Sequence, residues 1–218
     1  LEAAAIDEAV RTNLMGQAKF LRAFFYYKLV RYFGGVPLYL HEVKSAEEAF
    51  LPRATVDEVY AQIISDAEYA IANLAPPARF PQSGEATKGS ATILLADVYV
   101  TRKAYAEAER LLETLPAMGY DLFDNYADAF ATENKNGKES LFEIQYQQGL
   151  QGGQQSNFIY KFIPRSKNTK IVTGVATNNS SLGGWNMPTQ DLIADYEEGD
   201  LRKTASIAIA EGTDDARY

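Results

Sequence analysis

The stretch Phe20–Tyr39, FLRAFFYYKLVRYFGGVPLY, decides how the chain is read. It sets seven aromatic and three basic side chains into the fifteen residues from Phe20 to Gly34, then halts at Gly34-Gly35. A membrane span needs roughly 20 consecutive apolar residues. Arg22, Lys28 and Arg31 break the run, which excludes that reading. A cofactor box has no support in the residues. A buried helix does. Leu14, Ala18, Leu21, Phe25, Leu29 and Tyr32 recur at helical spacing, and Phe20, Phe24 and Tyr27 form a second stripe beside them. A helix apolar on most of its circumference is expected to be enclosed by neighbours. Its basic side chains are expected to lay their stems on apolar surface and release their heads to water or a carboxylate. Gly34 suits a left-handed C′ position, Pro37 follows as a stop, and Arg31 complements the helix dipole. The spacing predicts a helix over 12–33.

Outward from this helix the pattern continues. Thr55-Val-Asp-Glu58 has the form of a capping box. It opens a helix whose face is Val59, Ile63, Ala67, Ala70, Ile71 and Leu74, and which Pro76-Pro77 ends. Residues 79–88 are a loop rich in Pro, Gly and Ser. Two further helices are predicted over 88–101 and 104–115, with a tight turn at Arg102-Lys103. Leu95-Ala96-x-x-Tyr99 followed by Tyr105-x-x-Ala108 approximates a tetratricopeptide repeat. There, small residues let antiparallel helices approach and tyrosines fill the grooves. The prediction is a mainly α fold: a tetratricopeptide-like frame of helix pairs (an alpha-alpha superhelix), an irregular loop-rich segment and a few short strands. The frame is placed at 1–140. Residues 141–218 are placed in the same domain as a loop-rich, ligand-facing segment with a returning helix.

The character changes after residue 140. Ser140–Tyr146 alternates apolar and polar, as a short strand does. From Gln147 to Gln190 there is no Asp or Glu, while Lys161, Arg165, Lys167 and Lys170 and six of the fifteen glycines fall there. Long loops in compact domains are often functional. Order then resumes with a helix predicted from about Gln190 to Glu198, capped by Thr189 and followed by Gly199.

Composition narrows the function. The 218 residues carry a net charge of −8, which argues against a general nucleic-acid binder. There is no cysteine, so no disulfide, thiolate metal site or catalytic thiol. The chain opens at Leu1 inside a helical pattern and stops at Tyr218 without a closing signal. A longer polypeptide is expected, with any signal peptide or lipid-anchor cysteine outside these residues.

These segments resemble one family. AKFLRAFFYYKLVRYFGGVPLY is similar to the signature helix of SusD/RagB-type outer-membrane nutrient-binding proteins. LPRATVDEVYAQIISDAEYAIANL and ATKGSATILLADVYVTRKAYAEAERLLETL resemble the helices that follow it there. NGKESLFEIQY and MPTQDLIADYEEGDLRK complete the family's order. The resemblance implies a tetratricopeptide-like frame with an irregular part that carries the ligand site. It implies an outward-facing lipoprotein on the outer membrane of Bacteroidetes-type bacteria, anchored through a segment outside this chain. It also implies a SusC-like TonB-dependent transporter as partner, and oligosaccharide or polysaccharide, sometimes peptide, as ligand. Such proteins bind and do not catalyse, and no cofactor is implied.

Sugars present flat C–H faces and paired hydroxyls, which aromatic platforms and planar amides match. The candidate glycan-binding residues are therefore Trp185, Asn186, Tyr160, Asn157, Asn178 and Asn179. Each has a plainer reading. Trp185, the one tryptophan, can equally pin the loop onto the frame. Tyr160 and Phe158 share one side of a possible strand, FIYKF, which makes core the reading for at least one. Asparagine is the ordinary loop residue. The basic cluster at 161–170 suits an acidic glycan or the transporter, or is simply solvated. His41 is the one histidine and has no His or Cys nearby in sequence for zinc. No G-x-S-x-G surrounds a serine. Asp191, Asp195 and Glu198 are placed on one helix face, where paired carboxylates of a glycosidase would need to flank a sugar. Solvated helix charges are the commoner reading. Residues 121–125 lack the calcium-loop pattern. The alternatives are a helical-repeat scaffold for a protein or peptide, as in RagB-like peptide uptake, and, less well supported, a glycoside hydrolase.

Overall fold

The computed structural model describes residues 5–146, 162 and 186–208. They fall into two compact units: 5–122 with 134–143, and 123–133 with 144–146, 162 and 186–208. The first unit is an array of four helices. α1 is Glu8–Phe33, α2 Val56–Asn73, α3 Lys88–Thr101 and α4 Tyr105–Leu112. α1 packs on α2, α2 on α3 and α3 on α4. The described residues are mainly helical and contain no strand.

Local chemistry sets the ends. Asp7 caps α1 by accepting from the Ala9 N–H at 2.9 Å, so the helix begins a turn before residue 12. Thr55 and Glu58 form the capping box of α2: the Thr55 N–H donates to Glu58 at 2.7 Å and the Glu58 N–H to Thr55 Oγ1 at 3.3 Å. These bonds hold the Glu58 carboxyl below its ordinary range, the one from the Thr55 backbone chief among them. A second box, Thr87 with Ser90, opens α3. Lys103, at φ +63, makes the sharp turn into α4. There Ala96 and Ala108 are buried and let α3 and α4 approach, whereas Tyr105 is exposed and fills no groove.

The glycine pair does two separate jobs. Gly34 ends α1 at φ +69, and its N–H donates to the Val30 carbonyl at 3.0 Å. Gly35 lies against the chain entering α2, where a Cβ would sit 2.1 Å from the Ala54 carbonyl oxygen. That approach lets the Ala54 N–H donate to the Val36 carbonyl at 3.2 Å. The Tyr26 hydroxyl fastens the same segment, donating to Pro37 O at 3.3 Å and accepting from the Tyr39 N–H at 2.7 Å.

The core joins Phe20, Ala23, Tyr27 and Val30 of α1 to Val59, Ile63 and Ala70 of α2 and to Ala91, Leu94 and Val98 of α3. This corrects the expected enclosure of α1 on most of its circumference. The stripe containing Leu14, Ala18, Leu21, Phe25, Leu29 and Tyr32 faces outward, and the second stripe is the buried one. Gly16 and Ala23 explain the choice: they are small, and the Leu74 side chain comes to within 2.9 Å of where a Gly16 Cβ would be. Two hydrogen-bonded groups fix the rotation. The Tyr27 hydroxyl lies 2.6 Å from Thr101 Oγ1 and donates to the Asp97 carbonyl of α3, and burial pushes its pKa up. Arg22 forks onto Asp66 of α2 through Nε and Nη2, both at 2.7 Å, and Lys19 Nζ adds a third contact at 3.3 Å. Asp66 is fully buried. Lys28 and Arg31 instead lie over the rings of Phe24 and Tyr27.

Residues 141–146 form no strand. Their alternation has another use. The Leu141 carbonyl accepts from Ser90 Oγ at 2.8 Å, and Phe142 packs edge-on against Phe20 at 4.9 Å between ring centroids. Leu141 and Phe142 thus dock on α3 and α1.

Two outcomes test this packing. Gly35→Ala is expected to destabilise the protein by about 2 kcal/mol, because the obstructing atom is backbone and cannot rotate away. Chemical denaturation would measure it, and a change within ~0.5 kcal/mol would contradict the close approach. Asp66→Ala is expected to cost about 3 kcal/mol by stranding Arg22 and Lys19, while Asp66→Leu combined with Arg22→Met is expected to cost far less. Equal losses in the two variants would show that the carboxylate acts through packing alone.

Candidate functional site

The second unit holds the described part of the loop-rich segment. Asn186 is exposed in a turn, and Pro188 and Thr189 lead from it into a short helix. Thr189 accepts from the Leu192 N–H at 3.2 Å and so caps this helix, α5, Gln190–Ala194. α5 is shorter than the predicted 190–198. It stops at Asp195, Gly199 turns the chain at φ +84, and Asp200 starts a further helix, α6, Leu201–Ser206. The sequence reading missed α6, although the Asp200–Arg202 pairing is visible in the sequence. Asp200 accepts from the Arg202 N–H at 2.9 Å and from Nη2 at 2.5 Å. The guanidinium, more than the backbone N–H, holds the Asp200 carboxyl below its usual range, and the Arg202 pKa rises in turn.

This break removes the proposed carboxylate face. Asp191 lies in the first turn of α5, Asp195 at its end and Glu198 beyond it, all exposed. A glycosidase acid is kept protonated by an apolar pocket, which none of these three occupies. His41 is exposed on the loop between α1 and α2. Among the described residues no group of three or more His, Cys, Asp or Glu side chains is placed to hold a metal ion.

α6 packs on the 3-10 turn Tyr126–Phe130, whose Asn125 cap accepts from the Ala127 N–H at 3.4 Å. The rings of Tyr126 and Phe130 lie 5.2 Å apart and are 40% and 70% exposed. This pair was not singled out from the sequence. Its signal is the i, i+4 spacing of two aromatics in YADAF, C-terminal to an Asn cap.

Of the six candidate glycan-binding residues, Asn186 is the one placed by the structure. Trp185, Tyr160, Asn157, Asn178 and Asn179 lie outside the described residues. So do Phe158, the strand expected at FIYKF apart from Phe162, and the basic cluster Lys161, Arg165, Lys167 and Lys170. Among the described residues no helix is long and apolar enough to cross a membrane.

Comparison with known proteins places this geometry. Residues 2–100 match the model of the SusD-like family described as "Starch-binding associating with outer membrane". SusD-like protein P2 of Formosa agariphila is 32% identical over 212 residues, covering 92% of this chain and 40% of that protein. The crystal structure of a SusD-like protein from Bacteroides fragilis superposes with a TM-score of 0.73 at 30% identity, over 90% of this chain and 37% of that one. A laminarin-binding SusD-like protein superposes with a TM-score of 0.77 at 26% identity, over 96% of this chain and 48% of that one. The chain therefore spans less than half the length of these relatives. With its helical array, its order of elements and these matches in agreement, the chain belongs to the SusD-like family.

Proposed function

We propose that the chain is part of a non-catalytic glycan-binding protein at the outer-membrane surface, which passes oligosaccharide to a SusC-like TonB-dependent transporter. The observation that carries this reading is the likeness, over nearly the whole chain, to a SusD-like protein that binds laminarin. The family description, with its starch binding and outer-membrane association, supports it. In this reading residues 1–140 are the helical frame and 141–218 the ligand-facing segment. Trp185 supplies the stacking platform, with Tyr160 beside it, and Asn157, Asn178, Asn179 and Asn186 fork onto hydroxyl pairs. The absence of Asp and Glu from Gln147 to Gln190 keeps carboxylates from repelling an acidic sugar while leaving neutral ones free to bind. A lipid anchor outside these residues holds the protein to the membrane.

The test is a calorimetric titration of the full-length protein with laminarin and malto-oligosaccharides. One neutral glucan series is expected to bind saturably without release of reducing sugar. Trp185→Ala is expected to weaken it about tenfold or more, the loss of a stacked ring. Unchanged affinity in that variant would remove Trp185 from the site, and steady sugar release would overturn the non-catalytic reading.

A further inference from the structure

The capping box of α3 does more than start a helix. The side chains of Thr87 and Ser90 each accept from the other's N–H, at 3.2 and 3.1 Å, and each hydroxyl also reaches outward. Ser90 Oγ donates to the Leu141 carbonyl at 2.8 Å. Thr87 Oγ1 lies 3.0 Å from the Tyr120 hydroxyl, which donates to Gln82 Oε1 at 3.4 Å. The same Gln82 side chain donates through Nε2 to the Ser140 carbonyl at 2.6 Å, and the Gln82 N–H donates to the Asn136 carbonyl at 2.9 Å. The Asp121 N–H adds the Lys138 carbonyl at 3.1 Å. Thr87, Ser90 and Tyr120 are buried. Gly89 makes room for the cluster, since a Cβ there would sit 2.2 Å from the Tyr120 ring.

What the cluster grips is backbone. The acceptors on 136–141 in these bonds are main-chain carbonyls, so they fix the path of the chain whatever side chains it carries. Phe142 seats the end of the segment on Phe20 and Phe24. Neutral hydrogen bonds add little net stability, but a buried donor without its acceptor is costly, so one path is favoured over its neighbours. That path matters for where it leads. Residues 134–143 belong to the first unit, while 123–133 before them and 144–146 after them belong to the second. The gripped segment therefore receives the chain from the second unit and returns it there.

We infer that Ser90, Gln82 and Tyr120 are positioning residues: they fix the point from which the ligand-facing segment leaves the frame, and so help to set its affinity for glycan. This rests on the glycan reading of residues 141–218.

The test is a calorimetric titration of the full-length protein with laminarin and malto-oligosaccharides, well below its melting temperature. Ser90→Ala and Gln82→Glu each remove one donor, the second without change of shape. Gln82 lies on the loop before α3 and is half-buried, so its variant reports even where Ser90→Ala disturbs the helix start. Ile63→Val, which loses a methylene from the fully buried core of α2, is the control for lost stability alone. Ser90→Ala and Gln82→Glu are each expected to weaken glucan binding about fivefold or more, because small misplacements of a binding group are costly. Ile63→Val is expected to lower the melting temperature and leave affinity unchanged. Affinities in Ser90→Ala and Gln82→Glu equal to that of Ile63→Val would give the cluster a purely structural role and overturn the inference, with the glycan reading intact. Binding of no glucan by the unaltered protein would overturn the glycan reading and the inference with it.

Discussion

A carboxylate sealed inside a helical array has to be paired, and the pairing of Asp66 constrains the rest of this structure. An unpaired charge there would cost several kcal/mol. Asp66 takes Arg22 in a two-point fork and Lys19 as a third contact, so α1 cannot rotate against α2 without stranding it. Arg22 also donates to the Leu40 carbonyl at 3.1 Å, which carries the constraint into the segment after the glycine pair. Once α1 is fixed, Phe20 and Phe24 face Phe142, Tyr27 reaches Thr101, and the chain leaving α1 runs beside the entry to α2. Arg22 and Lys19, two basic residues of an aromatic helix, are therefore the means by which the helix is oriented.

That constraint also marks what sequence could and could not reveal. Three helix ends were legible because their caps are local: Thr55 with Glu58, Gly34 after Phe33, and Thr189 before α5 are each written within four residues. Which face of α1 turns inward was not. Two apolar stripes compete on that helix, and periodicity cannot rank them. The deciding partner, Asp66, is 44 residues from Arg22. The strand expected at 140–146 failed for a related reason. Alternation describes a segment with one inward side, and Phe142 turns that side against Phe20 and Phe24 of α1 as readily as it would against a sheet. α5 ended early because Asp195 closes it and the Gly199–Asp200 turn begins a new helix.

The candidate site was legible differently. Its residues came from the chemistry of sugars and from an acid-free span, and its function from the family resemblance. The matches to SusD-like proteins bear out the family and the helical frame. Of the candidate binding residues the structure places Asn186, on an exposed turn held by the cap of α5. Within the same unit the 3-10 turn Tyr126–Phe130 packs on α6. In the proposed reading the two parts have separate requirements: buried charge and small residues in the frame, amides and aromatics able to meet a sugar in the ligand-facing segment. Long polar loops vary freely once such a frame is set.

The most direct measurement of this division is hydrogen exchange on the full-length protein, with and without a saturating neutral glucan oligosaccharide. Slowed exchange is expected within 144–208 and unchanged exchange in α1 to α4, whose amides are already held by the array. Slowing concentrated in α2 and α3, with 144–208 unaffected, would contradict it and move the ligand onto the helical frame.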